Sequence, residues 1–220
     1  MTHQLIIFTR YPEAGKAKTR LIPAIGPQGA ADLHRQLTEQ TLATARTFQQ
    51  QHPLTITVAY TGGDEPLMRT WLGPDLNYQQ QSQGNLGDRM ADAFRVAFAT
   101  GAGKVVIMGT DCPAVTVQHL TKAFQFLAEQ DLVLGPAIDG GYYLIGLRTP
   151  MPELFQGISW STEQVLAQTL TIGASLHLTM TLLPPLQDID QPTDLALWEK
   201  NCPMIKKDWG VMNDPNDGDG

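Results

Sequence analysis

Cysteine is scarce in this chain, and long apolar runs are missing from it. The two cysteines, Cys112 and Cys202, form neither a zinc-ligand spacing nor a disulfide framework, and we interpret Cys112 as a buried structural thiol. No apolar segment approaches the roughly 18 residues of a membrane helix, and the first apolar run is too short for a signal peptide. We therefore expect a cytoplasmic protein without a membrane span.

Positive charge is also scarce. The chain has 15 lysines and arginines against 22 aspartates and glutamates, and its formal net charge is -7. This balance argues against a general nucleic-acid surface and against a polybasic membrane surface. Part of the negative charge is local, at Asp208, Asp214, Asp217 and Asp219. We predict one domain over residues 1–203 and a tail over 204–220 whose end is disordered.

Apolar periodicity divides the chain into alternating strands and helices. Strands are predicted at 5–8, 54–60, 78–81, 105–109, 131–137, 142–147 and 177–183. Helices are predicted at 29–50, 65–72, 86–98, 115–129 and 163–170. A last helix is predicted to begin within 188–195 and to end at residue 200. The alternation predicts an α/β protein with a Rossmann-like, mostly parallel sheet covered by helices on both faces. His34 has polar neighbours and is predicted to lie on the surface.

Asp111 follows the most central strand. The residues from Val105 to Gly109 are apolar without alternation, as in a strand that is buried on both faces. An aspartate at the carboxyl end of such a strand lies where open α/β sheets bind their ligands. The structural alternative is that Thr110 or Asp111 caps the helix that follows Pro113.

A cluster of cations follows the first strand. It consists of Arg10, Lys16, Lys18 and Arg20. Glu13 is the single acid within the cluster, and Gly15 precedes the first lysine. In an acidic protein such a loop predicts an anionic ligand, and phosphates match it best. It is not a Walker loop, because Ala17 follows the Gly-Lys pair. A solvated basic loop is the alternative.

Gly87 and Arg89 lie in the first turn of a predicted helix. Glycine at a helix start allows backbone amides to approach an anion closely. Arg89 opposes the helix dipole there, which favours an anionic partner. The alternative partner of Arg89 is a neighbouring acid, Asp88 or Asp92.

Asp139, Gly140 and Gly141 separate two predicted strands. Asp-Gly-Gly is common in hairpin turns, but two glycines beside a carboxylate also leave room for a bulky ligand. Trp160 precedes the next helix and is interpreted either as a core residue or as an aromatic platform for a sugar or base.

Acids recur at the start of the last predicted helix, as Asp188, Asp190 and Asp194. They can cap the helix and offset its dipole, or supply oxygen ligands to a hard cation. Cations combined with separated carboxylates suit a diphosphate bound through Mg²⁺ or Mn²⁺. We assign Asp111 and Asp190 as the metal ligands.

Six motifs in order resemble a bacterial family with the nucleotide-diphospho-sugar transferase (GT-A-type) fold, often described as arsenosugar-biosynthesis glycosyltransferases. They are Pro-Glu-Ala-Gly-Lys-Ala-Lys-Thr-Arg-Leu at 12–21, Gly-Asn-Leu-Gly-Asp-Arg-Met at 84–90, Gly-Thr-Asp-Cys-Pro at 109–113, Gly-Pro-Ala-Ile-Asp-Gly-Gly-Tyr-Tyr-Leu-Ile-Gly-Leu at 135–147, Trp-Ser-Thr at 160–162 and Asp-Ile-Asp at 188–190.

The resemblance implies a nucleotide over the N-terminal half of the sheet, with Asp111 in the role of the glycosyltransferase Asp-x-Asp motif. This chain departs from that motif, since it has Thr-Asp-Cys. Asp111 and Asp190 also match the metal positions of related cofactor-biosynthesis nucleotidyltransferases, whose Ile-Asp-x-Pro-x-Asp-Leu pattern the chain shares at 189–195.

Three hypotheses follow. The first is a metal-dependent glycosyltransferase that moves a sugar from a nucleotide sugar to a small-molecule acceptor. In it Lys16, Lys18 and Arg20 bind the diphosphate, and Asp139 contacts the sugar or acts as the base. Its catalytic candidates are Asp139, Lys18 and Arg20, with Gly140, Gly141 and Trp160 at the acceptor or sugar. The second is a nucleotidyltransferase that releases pyrophosphate, and the third is a non-catalytic nucleotide-binding domain.

Overall fold

A computed structural model of the chain describes residues 2–196 and 198. Within them the strands are β1 (Thr2–Arg10), β2 (Leu54–Thr61), β3 (Asn77–Gln80), β4 (Ala102–Met108), β5 (Leu132–Pro136), β6 (Tyr142–Leu147) and β7 (Met180–Leu182). The helices are α1 (Ile22–Gln51), α2 (Glu65–Leu72), α3 (Leu86–Ala99), α4 (Val117–Phe126) and α5 (Val165–Ser175). The predicted tail at 204–220 and the end of the last predicted helix lie outside the described residues.

One sheet contains all of these strands, in the order β3-β2-β1-β4-β6-β5-β7. β1 runs parallel to its neighbours β2 and β4, and its Leu5 lies opposite Ile56 and Val106. β6 is antiparallel to both β4 and β5, whereas the other pairings between named strands are parallel. The predicted Rossmann-like, mostly parallel sheet is confirmed, with one reversed strand.

Both faces of the sheet are covered, which explains the lack of polar alternation in the central strands. Side chains alternate along a strand, so Leu5 and Ile7 enter one core while Ile6 enters the other. The first core is completed by residues of α1, α2 and α4, and the second by residues of α3 and α5. A sheet that is buried in this way leaves its strand ends as the accessible edge.

The carboxyl ends of β1, β2, β3, β4 and β5 meet at one edge of the sheet. Because β5 and β4 are both antiparallel to β6, they run in the same direction as each other. The tight turn between β5 and β6 therefore lies at the same edge as Asp111. This topology brings together loops that are far apart in the sequence and that carry the predicted site residues.

α1 begins at Ile22, before the predicted start at residue 29. The helix is interrupted at Gly26, whose φ is 70°, and Pro27 follows inside it. Proline has no N–H to continue the helical ladder, so the periodic pattern visible in the sequence belongs to the segment after the break. Among the described helices none has the length and apolar content needed to cross a membrane.

The cap interpretation of Asp111 is wrong. α4 begins at Val117 and its N-cap is Thr116, so neither Thr110 nor Asp111 caps it. The intervening residues form a loop over the sheet edge. Asp111 thus lies at the end of β4 without a helix-capping role.

The segment at 188–191 is not helical, contrary to the earliest predicted start of the last helix. A 3₁₀ turn follows at Pro192–Asp194, where the Asp194 carboxylate accepts hydrogen bonds from the backbone N–H groups of Asp190 and Gln191. β7 is also shorter than predicted, because His177 has a left-handed φ of 56° and precedes the extended segment.

Candidate active site

A cleft of about 620 Å³ opens at the carboxyl edge of the sheet. It brings together predicted site residues from six separate segments of the chain: Arg10, Arg20, Arg89, Asp111, Asp139, Gly141, Trp160 and Asp190. The predicted site residues outside this lining are Gly15, Lys16, Lys18, Gly87 and Gly140. Strand ends that are far apart in sequence therefore converge on one site.

Asp111 is held by the buried ammonium group of Lys18. The Nζ of Lys18 lies 2.8 Å from Oδ1 of Asp111, and the Lys18 side chain is only 5% exposed. Partial removal of the carboxylate from water in the cleft favours the neutral acid, but the charge and hydrogen bond of Lys18 outweigh this effect and lower the pKa of Asp111. Asp111 is therefore ionised at neutral pH, and its side chain, 48% exposed, still faces the cleft.

Lys18 also joins Asp111 to the late acidic segment. Its Nζ donates a hydrogen bond to the carbonyl of Ile189. The backbone N–H of Ile189 in turn donates to the carbonyl of Asp111 at 2.8 Å. Lys18 has a left-handed φ of 47°, a conformation that is unfavourable for a residue with a side chain. These bonds hold the loop after β1, the end of β4 and residues 188–190 together.

Arg20 makes a second ion pair, with Asp190. This pair lies at the surface of the cleft, where the Arg20 side chain is 59% exposed and that of Asp190 is 31% exposed. The carboxylate of Asp190 is therefore already paired with the long side chain of Arg20, which is in contact with water. A metal ion or a phosphate group would compete with this ion pair.

Asp188 is a site residue that the sequence-based assignment of metal ligands missed. It lines the cleft, and its pKa is raised to about 6, first by burial and then by the nearby carboxylates of Asp139 and Asp111. Unlike Asp190, it forms no ion pair with a described lysine or arginine. The signal in the sequence was the spacing: Ile189 is buried, so Asp188 and Asp190 share the opposite side of an extended segment.

The carboxylates of Asp111, Asp139 and Asp188 line the same cleft, and carboxylate oxygens are the ligands that a hard divalent cation prefers. Burial, followed by repulsion from Asp139 and Asp111, raises the pKa of Asp188, and a bound cation would relieve the repulsion. Within the described residues no group of three or more acids, histidines or cysteines is close enough to complete a metal site. Protein carboxylates would therefore supply only part of the coordination, as is common for Mg²⁺, with substrate phosphates and water supplying the rest.

Arg10 and Arg89 are the cleft cations that no described acid neutralises. Nη1 of Arg10 donates to the carbonyl of Lys16 at 2.9 Å, and Nε of Arg89 donates to the carbonyl of Gly84 at 3.1 Å. These bonds orient both guanidinium groups and leave further N–H donors in each. An anion in the cleft would meet two oriented, unpaired arginines.

Gly15 and Lys16 lie away from the cleft. Lys16 forms an ion pair of 2.8 Å with Glu13, and its side chain is 63% exposed. Such a pair contributes little to stability, and it directs the Lys16 ammonium away from Asp111. The structure thus divides the basic loop into an outer part, at Lys16, and an inner part, at Lys18 and Arg20.

Gly87 makes room for Trp160. A Cβ on Gly87 would lie 2.5 Å from the indole ring, so this position in the first turn of α3 admits no side chain. The close approach fixes Trp160 against α3, where it packs on the core while also lining the cleft. Both sequence interpretations of Trp160, as a core residue and as a platform, are compatible with this position.

The turn between β5 and β6 holds Asp139 at the cleft. Oδ1 of Asp139 accepts a hydrogen bond of 2.8 Å from the backbone N–H of Gly141, which leaves Oδ2 available. Gly140 has a φ of 89°, and a Cβ there would lie 2.2 Å from the carbonyl oxygen of Glu163. The glycines therefore form a hairpin turn that packs against the segment before α5.

The sequence was compared with known protein families. The family model described as "Uncharacterized protein conserved in bacteria (DUF2064)" matches residues 26–162. The chain belongs to the DUF2064 family. The match includes Arg89, Asp111, Asp139 and Trp160, whereas the basic loop and residues 188–190 lie outside it.

Relatives of this DUF2064 chain include transferases. A solved structure from Desulfovibrio desulfuricans G20, assigned to the nucleotide-diphospho-sugar transferases, is 32% identical with a TM-score of 0.85, over 94% of this chain and 90% of that one. The phosphoenolpyruvate guanylyltransferase of Chloroflexus aggregans (strain MD-66 / DSM 9485) is 25% identical over 179 residues, 80% of this chain and 88% of the relative. A manganese complex from Mycobacterium tuberculosis H37Rv, 16% identical over 93% of this chain and 100% of that one, shares the fold with a TM-score of 0.53.

His34 of the DUF2064 chain lies in the site, so its predicted surface position is wrong. It is 7% exposed, lines the cleft, and its Nε2 lies 2.9 Å from the carbonyl oxygen of Arg10. Burial lowers its pKa, so the ring is neutral at pH 7. The polar residues near His34 in the sequence suggested a surface position. In the structure the polar residues Thr9 and Thr38 are buried together with His34 and hydrogen-bond each other.

Proposed function

We propose that this chain is a metal-dependent glycosyltransferase that moves a sugar from a nucleoside-diphosphate sugar to a small-molecule acceptor. The observation that carries the proposal is the separation of charge along the cleft. Unpaired arginines lie on the side of β1 and α3, and unpaired carboxylates lie on the side of the β5–β6 turn. We call these the nucleotide half, containing Arg10 and Arg89, and the acceptor half, containing Asp139, Glu163 and Asp188. Trp160, which packs on Gly87 of α3, lines the cleft between the two halves.

The nucleotide half suits the diphosphate of a donor. Arg10 and Arg89 present oriented guanidinium groups, which pair well with phosphate oxygens. Arg20 would join them once a phosphate competes with Asp190 for its guanidinium group. The nucleotide-diphospho-sugar transferase assignment of the 32% identical relative supports a donor of this class.

The acceptor half suits a neutral, hydroxylated substrate. Among its described lining residues, from Ala137 to Val165 and at Asp188, there is no lysine, arginine or histidine. A phosphorylated acceptor would meet carboxylates there and no described cation to offset them, and like charges repel. Sugar hydroxyls, in contrast, donate to carboxylates, and a sugar face stacks on an indole such as Trp160.

A Mg²⁺ or Mn²⁺ ion would be held by Asp111 together with Asp188 or the sequence-predicted ligand Asp190. When bound, it would neutralise the charge that develops on the leaving nucleoside diphosphate. Asp188 is the better matched of the two, since no described cation pairs with it. The manganese complex of the Mycobacterium tuberculosis protein shows that a related fold accepts such an ion.

The remaining roles follow from position. Lys18 keeps Asp111 ionised and oriented, and Arg20 stabilises the leaving group. Asp139 contacts the sugar or accepts the proton of the acceptor hydroxyl through its available Oδ2. The arsenosugar acceptor that the family resemblance implied stays a prediction.

The second candidate function is nucleotidyl transfer from a nucleoside triphosphate to a phosphorylated substrate. The 25% identical guanylyltransferase favours it, since that relative matches 80% of this chain. The concentration of cations after β1 would also serve a triphosphate. The acidic acceptor half argues against it, because the attacking group in that reaction is itself a phosphate.

The products distinguish the two reactions. The purified protein is incubated with Mn²⁺ and a panel of nucleotide sugars with simple glycosides or polyols as acceptors, and separately with nucleoside triphosphates and phosphoenolpyruvate. We expect release of nucleoside diphosphate in the first set and no pyrophosphate in the second. Pyrophosphate release in the second set alone would replace the proposal by nucleotidyl transfer, and no turnover in either would favour a binding domain.

A matched pair of variants locates the reaction in the cleft. D111N removes the charge that we assign to the metal and should lower turnover at least about 100-fold. D92N removes a carboxylate that pairs with Arg95 on the surface of α3, outside the cleft, and should leave turnover within about twofold. Equal activity in both variants would contradict the metal assignment.

A further inference from the structure

Gln81 follows β3 and connects the ends of three strands. Its backbone N–H donates to the carbonyl of Tyr60 at 2.9 Å. Its side-chain Nε2 donates to the carbonyl oxygens of Ala59, at 2.8 Å, and Thr9, at 3.3 Å. The amide group is therefore anchored across the carboxyl ends of β1 and β2 in the nucleotide half.

These bonds fix which way the amide faces. Carbonyl oxygens only accept hydrogen bonds, so both contacts require the NH₂ end of the Gln81 side chain. Both amide hydrogens are thereby used, and Oε1 is left as an acceptor. Within the described part of the chain no group donates to it, and Gln81 lines the cleft.

The cleft lining also includes apolar side chains. Leu86, at the start of α3, lines the cleft although 42% of it is exposed, and Phe8 lines the same half. A group that fits both features has flat apolar faces and N–H donors along one edge. A nucleobase has this combination. A ribose ring, in contrast, carries several hydroxyl groups and has no flat apolar face to pack against a leucine side chain.

We propose that Gln81 is a specificity-determining residue that accepts a hydrogen bond from an N–H group on the edge of the nucleobase. The proposal rests on the proposed function in that it needs a nucleotide in the cleft. Gln81 lies on the opposite half from the reacting groups, so it selects the donor nucleotide without taking part in the reaction.

The test measures binding rather than turnover. Dissociation constants of UDP, GDP, CDP and ADP with Mg²⁺, and of pyrophosphate, are measured by calorimetry for the wild type, for Q81M and for Q80M. Methionine keeps the length of glutamine but cannot accept the hydrogen bond. Gln80 is exposed on β3 and outside the cleft, so Q80M is the matched control.

We expect Q81M to weaken binding of the preferred nucleotide about tenfold, because the hydrogen bond to the edge of its base is lost. The affinities for the four nucleotides should therefore differ less from one another than in the wild type. Pyrophosphate should bind equally to all three proteins. A uniform loss for every base and for pyrophosphate would show a structural role and overturn the proposal, as would an unchanged base preference.

A second measurement does not depend on how well Q81M folds. The preferred nucleotide is compared with its analogue in which the edge N–H is methylated, and with its 2′-deoxy form, on the wild-type protein. The methylated analogue should bind about tenfold more weakly and the deoxy form nearly normally. The reverse result would assign Gln81 to the ribose and overturn the proposal. No nucleotide binding by the wild type would remove both this inference and the proposed function.

Discussion

Lys18 and Arg20 belong to the same loop and each pairs with an aspartate, but the two ion pairs differ in their exposure to water. The Lys18 side chain is 5% exposed, while that of Arg20 is 59% exposed. Lys18 also donates to the Ile189 carbonyl, whereas among the described residues the hydrogen-bond partner of Arg20 is the Asp190 side chain alone. The same kind of charge pair is therefore an anchor of the site in one case and an exchangeable contact in the other.

The largest expected effect breaks the buried pair. K18M should lower the free energy of unfolding by about 2 kcal/mol, because it leaves the Asp111 carboxylate and the Ile189 carbonyl without their donor. Urea unfolding at pH 7 measures this. K16M is the control, since the pair of Lys16 with Glu13 is exposed, and should change stability by no more than about 0.5 kcal/mol. Equal effects of the two variants would contradict the anchoring role.

An intermediate effect concerns Asp188, the acid without a cation partner. Its pKa in the folded protein, about 6, exceeds the value of about 4 expected in the unfolded chain, so the folded state holds the proton more tightly. The contribution of Asp188 to stability should therefore fall as the pH rises from 4 to 6, and the difference between wild type and D188N isolates it from the histidines, whose lowered pKa values act in the opposite direction. In metal-free protein, D188N should be more stable than wild type by about 1 kcal/mol at pH 8 and equally stable at pH 4.

D190N sharpens this comparison. Asp190 is paired with Arg20, so its loss should bring no gain in stability at pH 8. Thermal unfolding of the three proteins with and without Mn²⁺ completes the experiment: the ion should stabilise the wild type more than D188N. A gain for D190N equal to that of D188N would show that the two acids share one environment.

The smallest effect removes the exposed pair. R20M should change the free energy of unfolding by at most about 0.5 kcal/mol, as is usual for solvated ion pairs. Because the fold is retained, a weaker affinity for nucleoside diphosphate in R20M would report a direct contact. A loss of stability as large as that of K18M would erase the distinction between the two pairs.

The sequence was sufficient to predict a sheet with helices on both faces, because buried strands leave a clear pattern of apolar residues in the sequence. Val105 to Met108 are buried, as continuous apolar runs predict. The reversal of β6 was less visible, since periodicity records burial and not strand direction. The start of α1 was missed because Gly26 and Pro27 break the periodic signal in front of the longer segment.

The convergence of Arg10, Asp111 and Asp139 was also predictable, since carboxyl ends of strands meet at one edge. Which cation would pair with which acid was not, because this depends on side-chain reach across loops far apart in sequence. His34 was misjudged for a related reason: its burial depends on hydrogen-bonding partners from β1 that no local pattern reveals.

The reversed strand has a consequence for how such a protein can change over time. The acceptor half is built largely on the β5–β6 turn, where the backbone N–H of Gly140 donates a hydrogen bond to the carbonyl of Ala137 in a two-strand hairpin. Residues can be inserted at a hairpin tip without shifting the strands behind it. If the proposed function holds, a longer turn would alter the surface offered to the acceptor, while the nucleotide half, which spans three parallel strands and their crossover helices, would stay as it is.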